Sequence, residues 1–313
     1  MRIAQRRTIT IGTRASKLAL AQTEIVHASL LGLGPDLDIR IEHVTTKGDL
    51  VQDRPLSEIG GNGLFVTQIE EALRAGRIDL AVHSAKDLSS RLSPDMVLAA
   101  FLPRADPRDV LVSRDSVRLA DLPSGARVGT SSPRRACLLG ALRPDLVLLD
   151  IRGNVDSRLR KMHEGQYEAI VLAAAGLERL GLAECVTEWF DPHVFIPAVG
   201  QGALAVEVRA EDHVIIELAA HLNDPGTATA VRAERAFLAA IGGSCSLPVG
   251  AYATIEDGSL QIRGMVGAPG GRVVRGELAW QASDPERAGS TLAEQLLANG
   301  GRELVAAGEA VSL

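Results

Sequence analysis

The sequence predicts an α/β protein with two domains rich in alternating strands and helices and a smaller α+β domain at the C-terminus. Buried strand patterns alternate with amphipathic helix patterns, which is typical of a mostly parallel sheet covered by helices. The alternation starts again after the turn RADPRD at 104–109. After NDPGT at 223–227 it gives way to one helix and a glycine-punctuated meander.

The first domain is predicted from four segments. TITIGT at 8–13 is a strand pattern, and a helix follows from about Ser16, whose hydroxyl is a suitable N-cap. IRIEHVTTKGD is a strand with a polar end, and LFVTQIEEALRAGR is a helix with Phe65, Ile69, Ala72 and Leu73 on one face. IDLAVHSAKDL is a buried strand that ends in polar residues.

The second and third domains are also predicted from their sequence patterns. DVLVS, ARVGTSSPRRACLLGAL, LVLLDIRGNVDSRLRKMHEG and EAIVLAAAGLERLGL repeat the strand and helix alternation, and HVFIPAVGQGALAVEVR is an extended stretch that leads back to the first domain. The helix TATAVRAERAFLAAI opens the third domain. The predicted boundaries are 1–102 with 203–221, then 103–202, then 222–313.

Composition indicates an ordinary globular protein of 313 residues, 46% of them apolar. No run approaches the ~20 apolar residues of a membrane span, and the N-terminus lacks a secretory pattern, so we expect a cytoplasmic protein without a membrane partner. The cysteines Cys137, Cys185 and Cys245 fit neither a disulfide framework nor metal-binding spacing. We expect them to be reduced thiols.

Charge is distributed unevenly along the chain. The net charge of −6 argues against a nucleic-acid partner. Between Arg127 and Lys161, however, the sequence contains eight cations and three acids, a local net charge of +5. This basic band indicates a small polyanionic ligand, and the alternative is a solvated basic face.

Polar clusters follow four predicted strands. They are Thr13–Ser16, His83–Asp87, Thr130–Arg135 and Arg152–Arg158, and three of them contain arginine. In an open α/β sheet such junctions lie at the carboxyl ends of the strands, where ligands bind. Helix N-termini, hydroxyl caps and guanidinium groups together bind carboxylates or phosphates. The clusters therefore predict an anion-binding cleft, although single Ser and Thr residues are often simple caps.

The glycine run, the histidines and Asp87 are less informative about function. Gly60-Gly61-Asn62-Gly63 lacks dinucleotide or Walker spacing and is interpreted as a turn, and the histidines show no metal-ligand spacing. His83 fits a structural residue at a strand end better than a base. Asp87 follows an apolar strand and a lysine, so it is either a carboxylate that stabilises a cation in the cleft or a helix cap.

Cys245 lies in the loop IGGSCSLPVGAY, among small residues. A thiol hydrolase would explain the cysteine but requires a paired histidine, and none is near it in the sequence. A two-lobed anion-binding protein without catalysis would explain the arginines but not the thiol. Both alternatives stay open on these residues alone.

Ten motifs occur in an order and spacing that resemble the porphobilinogen deaminase family, also called hydroxymethylbilane synthase. They are GTRAS, TTKGD, GLF, HSAKDL, ADPRD, GTSSPRRA, RGNVDSRL, AAAGLERLGL, PAVGQGALAVE and GGSC followed by P.G.Y. The resemblance covers the chain from Ile9 onward. It implies two domains similar to periplasmic binding proteins that flank a cleft, plus the third domain.

The resemblance also implies an activity and a cofactor. Such a transferase of tetrapyrrole (haem) biosynthesis condenses four porphobilinogen molecules on a covalent dipyrromethane primer, releases ammonia at each step and hydrolyses the chain to hydroxymethylbilane. The cofactor is held in thioether linkage to the cysteine that Cys245 matches. We expect a monomer whose partner is the substrate, and no metal.

Residue by residue, the resemblance implies that Asp87 is the catalytic carboxylate. It implies that the cofactor and substrate are contacted by Arg14, Ser16, Phe65, Ser84, Lys86, Thr130, Ser131, Ser132, Arg134, Arg135, Arg152, Gly153, Arg158, Arg179 and Gln201. The sequence departs from the family pattern at Asn62 and Glu58, which stand at positions that are commonly basic, and at Ser244, where many members have glycine.

Overall fold

The computed structural model describes residues 8–34, 37–45, 66–242 and 247–311. Within these ranges the strands form three sheets. The strands are β1 (Thr8–Thr13), β2 (Asp38–His43), β3 (Leu80–Ser84), β4 (Met96–Phe101), β5 (Asp109–Ser113), β6 (Arg127–Gly129), β7 (Val147–Leu149), β8 (Ala169–Ala173), β9 (Glu188–Trp189), β10 (Leu204–Arg209), β11 (Val249–Glu256), β12 (Ser259–Ala268) and β13 (Arg272–Gln281).

Helices cover the sheets in the same described ranges. They are α1 (Lys17–Leu31), α2 (Thr67–Arg74), α3 (Pro133–Leu142), α4 (Val155–His163), α5 (Ala174–Arg179), α6 (His213–Ala220), α7 (Pro225–Ile241), α8 (Pro285–Leu296) and α9 (Arg302–Val311). Single 3₁₀ turns lie at Ala85–Asp87, Leu119–Asp121 and Ala183–Cys185, and Leu297–Gly301 joins α8 to α9. No helix in the described ranges is long and apolar enough to span a membrane.

Local sequence signals explain where several helices begin. Ser16 is the N-cap of α1, as predicted, and its hydroxyl accepts a hydrogen bond from the amide of Ala19. Ser132 caps α3 and is followed by proline at the first helical position. Asp224 caps α7 in the same manner.

Two five-stranded sheets have the same strand order. The first runs β2-β1-β3-β10-β4 and the second β7-β6-β8-β5-β9. We call the first sheet with α1, α2 and α6 lobe 1, and the second sheet with α3, α4 and α5 lobe 2. In each lobe the first three strands of that order are parallel and are joined through helices.

The expectation of mostly parallel sheets is wrong for the inserted strands. β10 runs antiparallel to both β3 and β4, and β5 runs antiparallel to both β8 and β9. Each inserted strand enters its lobe from the other lobe, so it starts at the opposite end of the sheet. The chain therefore crosses between the lobes twice, through residues 102–108 and 190–203, which we call the first and second crossovers.

The C-terminal part is the α+β unit that the sequence predicts. β11, β12 and β13 form an antiparallel meander, and α7 and α8 pack on it around Phe237, Ile262 and Leu292, all fully buried. The predicted fold class, two α/β domains with a smaller α+β C-terminal domain, is confirmed.

Candidate active site

A cavity of about 200 Å³ lies between lobe 1 and lobe 2, at the carboxyl ends of their parallel strands. Its described lining contains five cations and no carboxylate. The lining residues are Arg14, Ser16, Leu18, Gln22, Ser84, Lys86, Arg135, Gly153, Asn154, Val155, Arg158, Leu172, Ala173, Ala175, Gly176, Arg179, Gly202 and Ala203. This lining favours a small ligand with several negative charges.

The structure brings many of the predicted site residues together. Those that line the cavity are Arg14, Ser16, Ser84, Lys86, Arg135, Gly153, Arg158 and Arg179. Those outside its lining are Asp87, Thr130, Ser131, Ser132, Arg134, Arg152 and Gln201. Phe65 and Cys245, with Glu58, Asn62 and Ser244, lie outside the described residues.

The lobe 1 wall is built at the ends of β1 and β3. Ser16 is the N-cap of α1 and lines the cavity together with Leu18, so the positive end of the helix dipole lies at the cavity. Gln22, one turn and a half into α1, donates to the Ser84 hydroxyl at 2.8 Å. Gln22 is buried and lines the cavity, and it was missed by the sequence reasoning because it lies inside a helix pattern rather than at a junction.

Lys86 and Asp87 occupy the 3₁₀ turn that follows β3. Burial is the main cause that lowers the pKa of Lys86 to about 8. The positive charge of Arg135 lowers it further, whereas the carboxylates of Asp87 and Asp109 act in the opposite direction. Charged groups of both lobes therefore influence the protonation of Lys86.

Asp87 is exposed, and its charge acts on both walls of the cleft. The carboxylate raises the pKa of Lys86 on lobe 1 and that of Arg158 on lobe 2. The N-cap position of its 3₁₀ turn belongs to Ser84, and Asp87 is the third residue of the turn. The neighbouring His83 is buried in β3 with Nε2 2.9 Å from a carboxylate oxygen of Glu207, and it does not line the cavity.

The first turn of α3 supplies the main cation of lobe 2. The Thr130 hydroxyl accepts from the Ser132 amide, the Ser132 hydroxyl caps the Arg135 amide, and the Ser131 hydroxyl donates to the Ile151 carbonyl at 3.0 Å. These three hydroxyls thus shape the loop before α3 and tie it to the loop after β7. Arg135 leaves this turn toward the cavity.

A second group of lobe 2 cations comes from α4 and α5. Arg158 donates from Nε to the Gly153 carbonyl at 2.8 Å, and burial together with the charges of Arg135 and Arg152 lowers its pKa to about 10. Arg179 donates to the Gly202 carbonyl at 2.6 Å, and burial lowers its pKa as well. Desolvated guanidinium groups of this kind interact strongly with a carboxylate.

Beneath the cavity lies a buried carboxylate that the sequence reasoning missed. Asp109 contacts Arg134, Arg135 and Gln201, all four being at most 7% exposed. The signal in the sequence was an acid at the start of the apolar strand DVLVS, within a motif that had no role assigned. Arg134 and Gln201 therefore support the cavity from below.

The strand after the cysteine-bearing segment contacts the second crossover. α7 ends at Gly242, which adopts a left-handed conformation, and β11 begins at Val249. A Cβ atom at Gly250 would lie 2.7 Å from the Pro197 carbonyl and 2.9 Å from Cδ of Arg134. Glycine is required there, because the C-terminal unit approaches the base of the cleft at backbone distance.

The remaining cysteines differ in burial. Cys137 is buried and Cys185 is half-buried. No three His, Cys, Asp or Glu side chains of the described ranges are grouped so that they could hold a metal ion.

Fold and cavity define a two-lobed α/β protein with a cation-lined cavity between its lobes. The family model described as "Porphobilinogen deaminase, dipyromethane cofactor binding domain" matches residues 9–217, and "Porphobilinogen deaminase, C-terminal domain" matches 228–298. The chain belongs to the porphobilinogen deaminase family.

Curated relatives support this assignment over nearly the whole chain. A porphobilinogen deaminase of Roseiflexus castenholzii is 60% identical over 301 residues, which cover 96% of this chain and 99% of the relative. One of Syntrophotalea carbinolica is 50% identical over 300 residues, covering 96% and 95%. One of Halalkalibacterium halodurans is 46% identical over 301 residues, covering 96% of each.

Solved structures of lower similarity include periplasmic domains. The VFT2 domain of Bordetella pertussis BvgS is 16% identical with a TM-score of 0.40, over 70% of this chain and 88% of the domain. A Salmonella typhimurium periplasmic binding protein is 14% identical with a TM-score of 0.38, over 71% and 94%. Neither likeness carries an argument about function.

Proposed function

We propose that this protein is a transferase that condenses four porphobilinogen molecules head to tail on a dipyrromethane primer, releases ammonia at each step and hydrolyses the chain to hydroxymethylbilane. The observation that carries this proposal is the cavity lined by five cations and no described carboxylate, in a chain of this family. Each pyrrole bears an acetate and a propionate, so a growing chain is a polyanion that this lining fits.

The donors of the cavity also fit the cofactor. A dipyrromethane carries four carboxylates, and Arg14, Lys86, Arg135, Arg158 and Arg179 offer charged donors on both walls. When bound, the cofactor supplies the free pyrrole carbon at which the chain grows. We assign its thioether attachment to Cys245, whose following strand contacts the base of the cleft through Gly250.

The cations bind and orient the substrate by its carboxylates. A charge-assisted hydrogen bond contributes about 1.5 to 3 kcal/mol, and more than one such contact per pyrrole fixes the ring. We assign further contacts with the cofactor or substrate to Ser16, Ser84, Thr130, Ser131, Ser132, Arg152, Gly153 and Gln201, and contacts with the pyrrole faces to Phe65.

Asp87 is assigned the charge-stabilising role. The aminomethyl group of porphobilinogen leaves as ammonia, which places positive charge on the substrate pyrrole; carbon–carbon bond formation then leaves a cation that loses a proton. A carboxylate near the pyrrole N–H groups stabilises each cationic state. The effect of Asp87 on Lys86 and on Arg158 supports a position between the two walls.

The Asp87→Asn variant tests this role. Asparagine keeps the size and hydrogen bonding of the side chain but removes its charge, so we expect single-turnover ammonia release to slow by on the order of a hundredfold or more. Asp150→Asn is the matched control, because Asp150 is also exposed and also acts on Arg158 but is not among the charged groups that act on Lys86. Enzyme preloaded with cofactor is used throughout. A rate within about tenfold of the parent removes Asp87 from the mechanism.

Intact mass tests the function as a whole. Denatured, reduced protein from cells that make porphobilinogen should exceed its sequence mass by one dipyrromethane, and Cys245→Ser should not. Cys185→Ser is the matched control and should keep the added mass. An unmodified parent protein that binds but does not convert porphobilinogen would instead fit the anion-binding alternative.

Three further assignments belong to this proposal. The domain boundaries are 1–102 with 203–221, 103–202 and 222–313, supported by the return of β10 to the first sheet. The protein acts as a monomer, which sedimentation of the holoenzyme tests. It acts in the cytoplasm, a location that suits the free thiols of Cys137 and Cys185.

A further inference from the structure

Asp109 is a fully enclosed carboxylate beside the cleft. It is fully buried at the start of β5. Its Oδ2 accepts from Nη1 of Arg134 at 2.7 Å, and its Oδ1 accepts from Nε of Arg135 at 2.8 Å. Burial alone would raise the pKa of Asp109, but the charges of Arg134 and Arg135 outweigh it and lower the pKa. The residue is therefore a carboxylate anion.

The two arginines share this carboxylate but differ in what else they contact. Nη1 of Arg134 also donates to the Ile196 carbonyl at 2.7 Å, and the side chain, 3% exposed, does not line the cavity. Arg135 donates to the Val171 carbonyl at 2.9 Å and does line the cavity. One anion thus compensates two cations, and only Arg135 reaches the ligand space.

Gln201 extends the same array to lobe 1. Its Nε2 donates to Oδ1 of Asp109 at 3.0 Å and to the Pro107 carbonyl at 2.7 Å. Its Oε1 accepts from Nζ of Lys86 at 3.3 Å. The opposite amide orientation would set its oxygen against the carboxylate and its NH₂ group against the ammonium, so the partners fix this orientation.

We propose that Asp109 is a positioning residue for the condensation, which holds Arg135 directly and Lys86 through Gln201 as one preorganised cationic array, and that Arg134 is its counter-ion rather than a substrate ligand. The proposal rests on the proposed function for its chemistry. It departs from the sequence-based expectation that Arg134 contacts the substrate. Preorganised charges need no rearrangement when the anionic substrate arrives, which is the advantage of fixing them beforehand.

The array predicts opposite electrostatic effects at Lys86. Among the described residues, the charged groups that act on Lys86 are Arg135, Asp87, Asp109 and Arg134. Asp109→Asn removes a negative charge, so the pKa of Lys86 should fall by about one unit or more. Arg134→Met removes a positive charge, so the pKa should rise. A purely structural role for the cluster does not produce shifts of opposite sign.

The experiment is an NMR titration of ¹³C-labelled lysine in the full-length parent, Asp109→Asn and Arg134→Met proteins. The Lys86 resonance is assigned by its loss in Lys86→Arg. We expect a lower midpoint in Asp109→Asn and a higher one in Arg134→Met. Shifts in the same direction, or unchanged midpoints, overturn the proposal. If Asp109→Asn does not fold, an unchanged or lower midpoint in Arg134→Met overturns it.

Steady-state kinetics of the cofactor-loaded proteins complete the test. Asp109→Asn should raise KM for porphobilinogen roughly tenfold or more, with a smaller effect on kcat, because the carboxylate-binding cations lose their fixed positions. An unchanged KM contradicts the positioning role. If the parent protein makes no product, the proposed function fails, while the titration still decides the electrostatic array.

Discussion

The pH dependence of substrate capture should report the charge of Lys86. Its pKa is lowered to about 8, first by burial and then by Arg135. A lysine whose pKa is lowered loses its charge on the alkaline side, so the carboxylate-binding form is present below about pH 8 and is lost above it. We therefore expect kcat/KM for porphobilinogen to fall on an alkaline limb with its midpoint at or above pH 8, because the carboxylates of the attached cofactor favour the charged lysine.

The size of the effect follows from the titration curve. About nine tenths of the Lys86 side chains are charged one unit below the pKa and about one tenth one unit above it. If capture requires the cation, kcat/KM falls about tenfold from one pH unit below that midpoint to one unit above it. The bound polyanion favours the charged lysine, so the corresponding limb of kcat should lie at higher pH than that of kcat/KM.

The assay is stopped-flow or initial-rate kinetics of the cofactor-loaded enzyme across this pH range. Lys86→Arg is the control, since a guanidinium stays charged and the alkaline limb should disappear. Lys86→Met should lower kcat/KM on the acidic side of that limb, where the parent lysine is charged, and should also lack the limb. The ionisation of the substrate is common to all three proteins, so a limb at the same pH in Lys86→Arg would refute the assignment.

The remaining predictions concern the two walls of the cleft. Arg158→Leu should raise KM by about tenfold or more, because a desolvated cavity cation is lost. The control Arg160→Leu, on the exposed face of the same helix, should leave KM unchanged. Equal effects of the two substitutions would contradict the assignment of Arg158 to substrate binding. Lys17 and Asp156 form a 2.6 Å exposed ion pair between the lobes, so Lys17→Glu should change the elongation rate by less than about fivefold. The charge-swapped pair Lys17→Glu with Asp156→Lys should restore that rate, and failure to restore it would exclude the pair as an interlobe contact.

The residues of the cavity wall could be predicted because their position depends on local order. Arg14 and Gly153 follow strands and Ser84 ends one, and strands that run parallel end at one edge of a sheet. Which of two neighbouring arginines reaches the ligand could not be predicted. Arg134 and Arg135 are about 100° apart around the same helix, so one meets the cavity and the other meets the second crossover.

The contacts of the buried residue Asp109 could not be predicted from the sequence for a different reason. The contacts of Asp109 with Arg135 and with Gln201 span 26 and 92 residues. They depend on β5 being inserted beside β8, and that pairing is set by the passage of the chain between lobes rather than by any local pattern. The sequence predicted a return of the chain to the first domain, but not the insertion of β10 between β3 and β4.

The described lining of the cavity carries positive charge and no carboxylate to balance it. Arg158 lies close enough to Arg135 and Arg152 for their charges to lower its pKa, and Arg135 does the same to Lys86. Because the described lining provides no carboxylate, this repulsion is not compensated within the cavity itself. A bound anion removes it, and a ligand that binds only the folded state stabilises that state. A permanently attached polyanion would therefore stabilise the fold as well as prime the reaction, which is a physical reason for a covalent cofactor in this cleft.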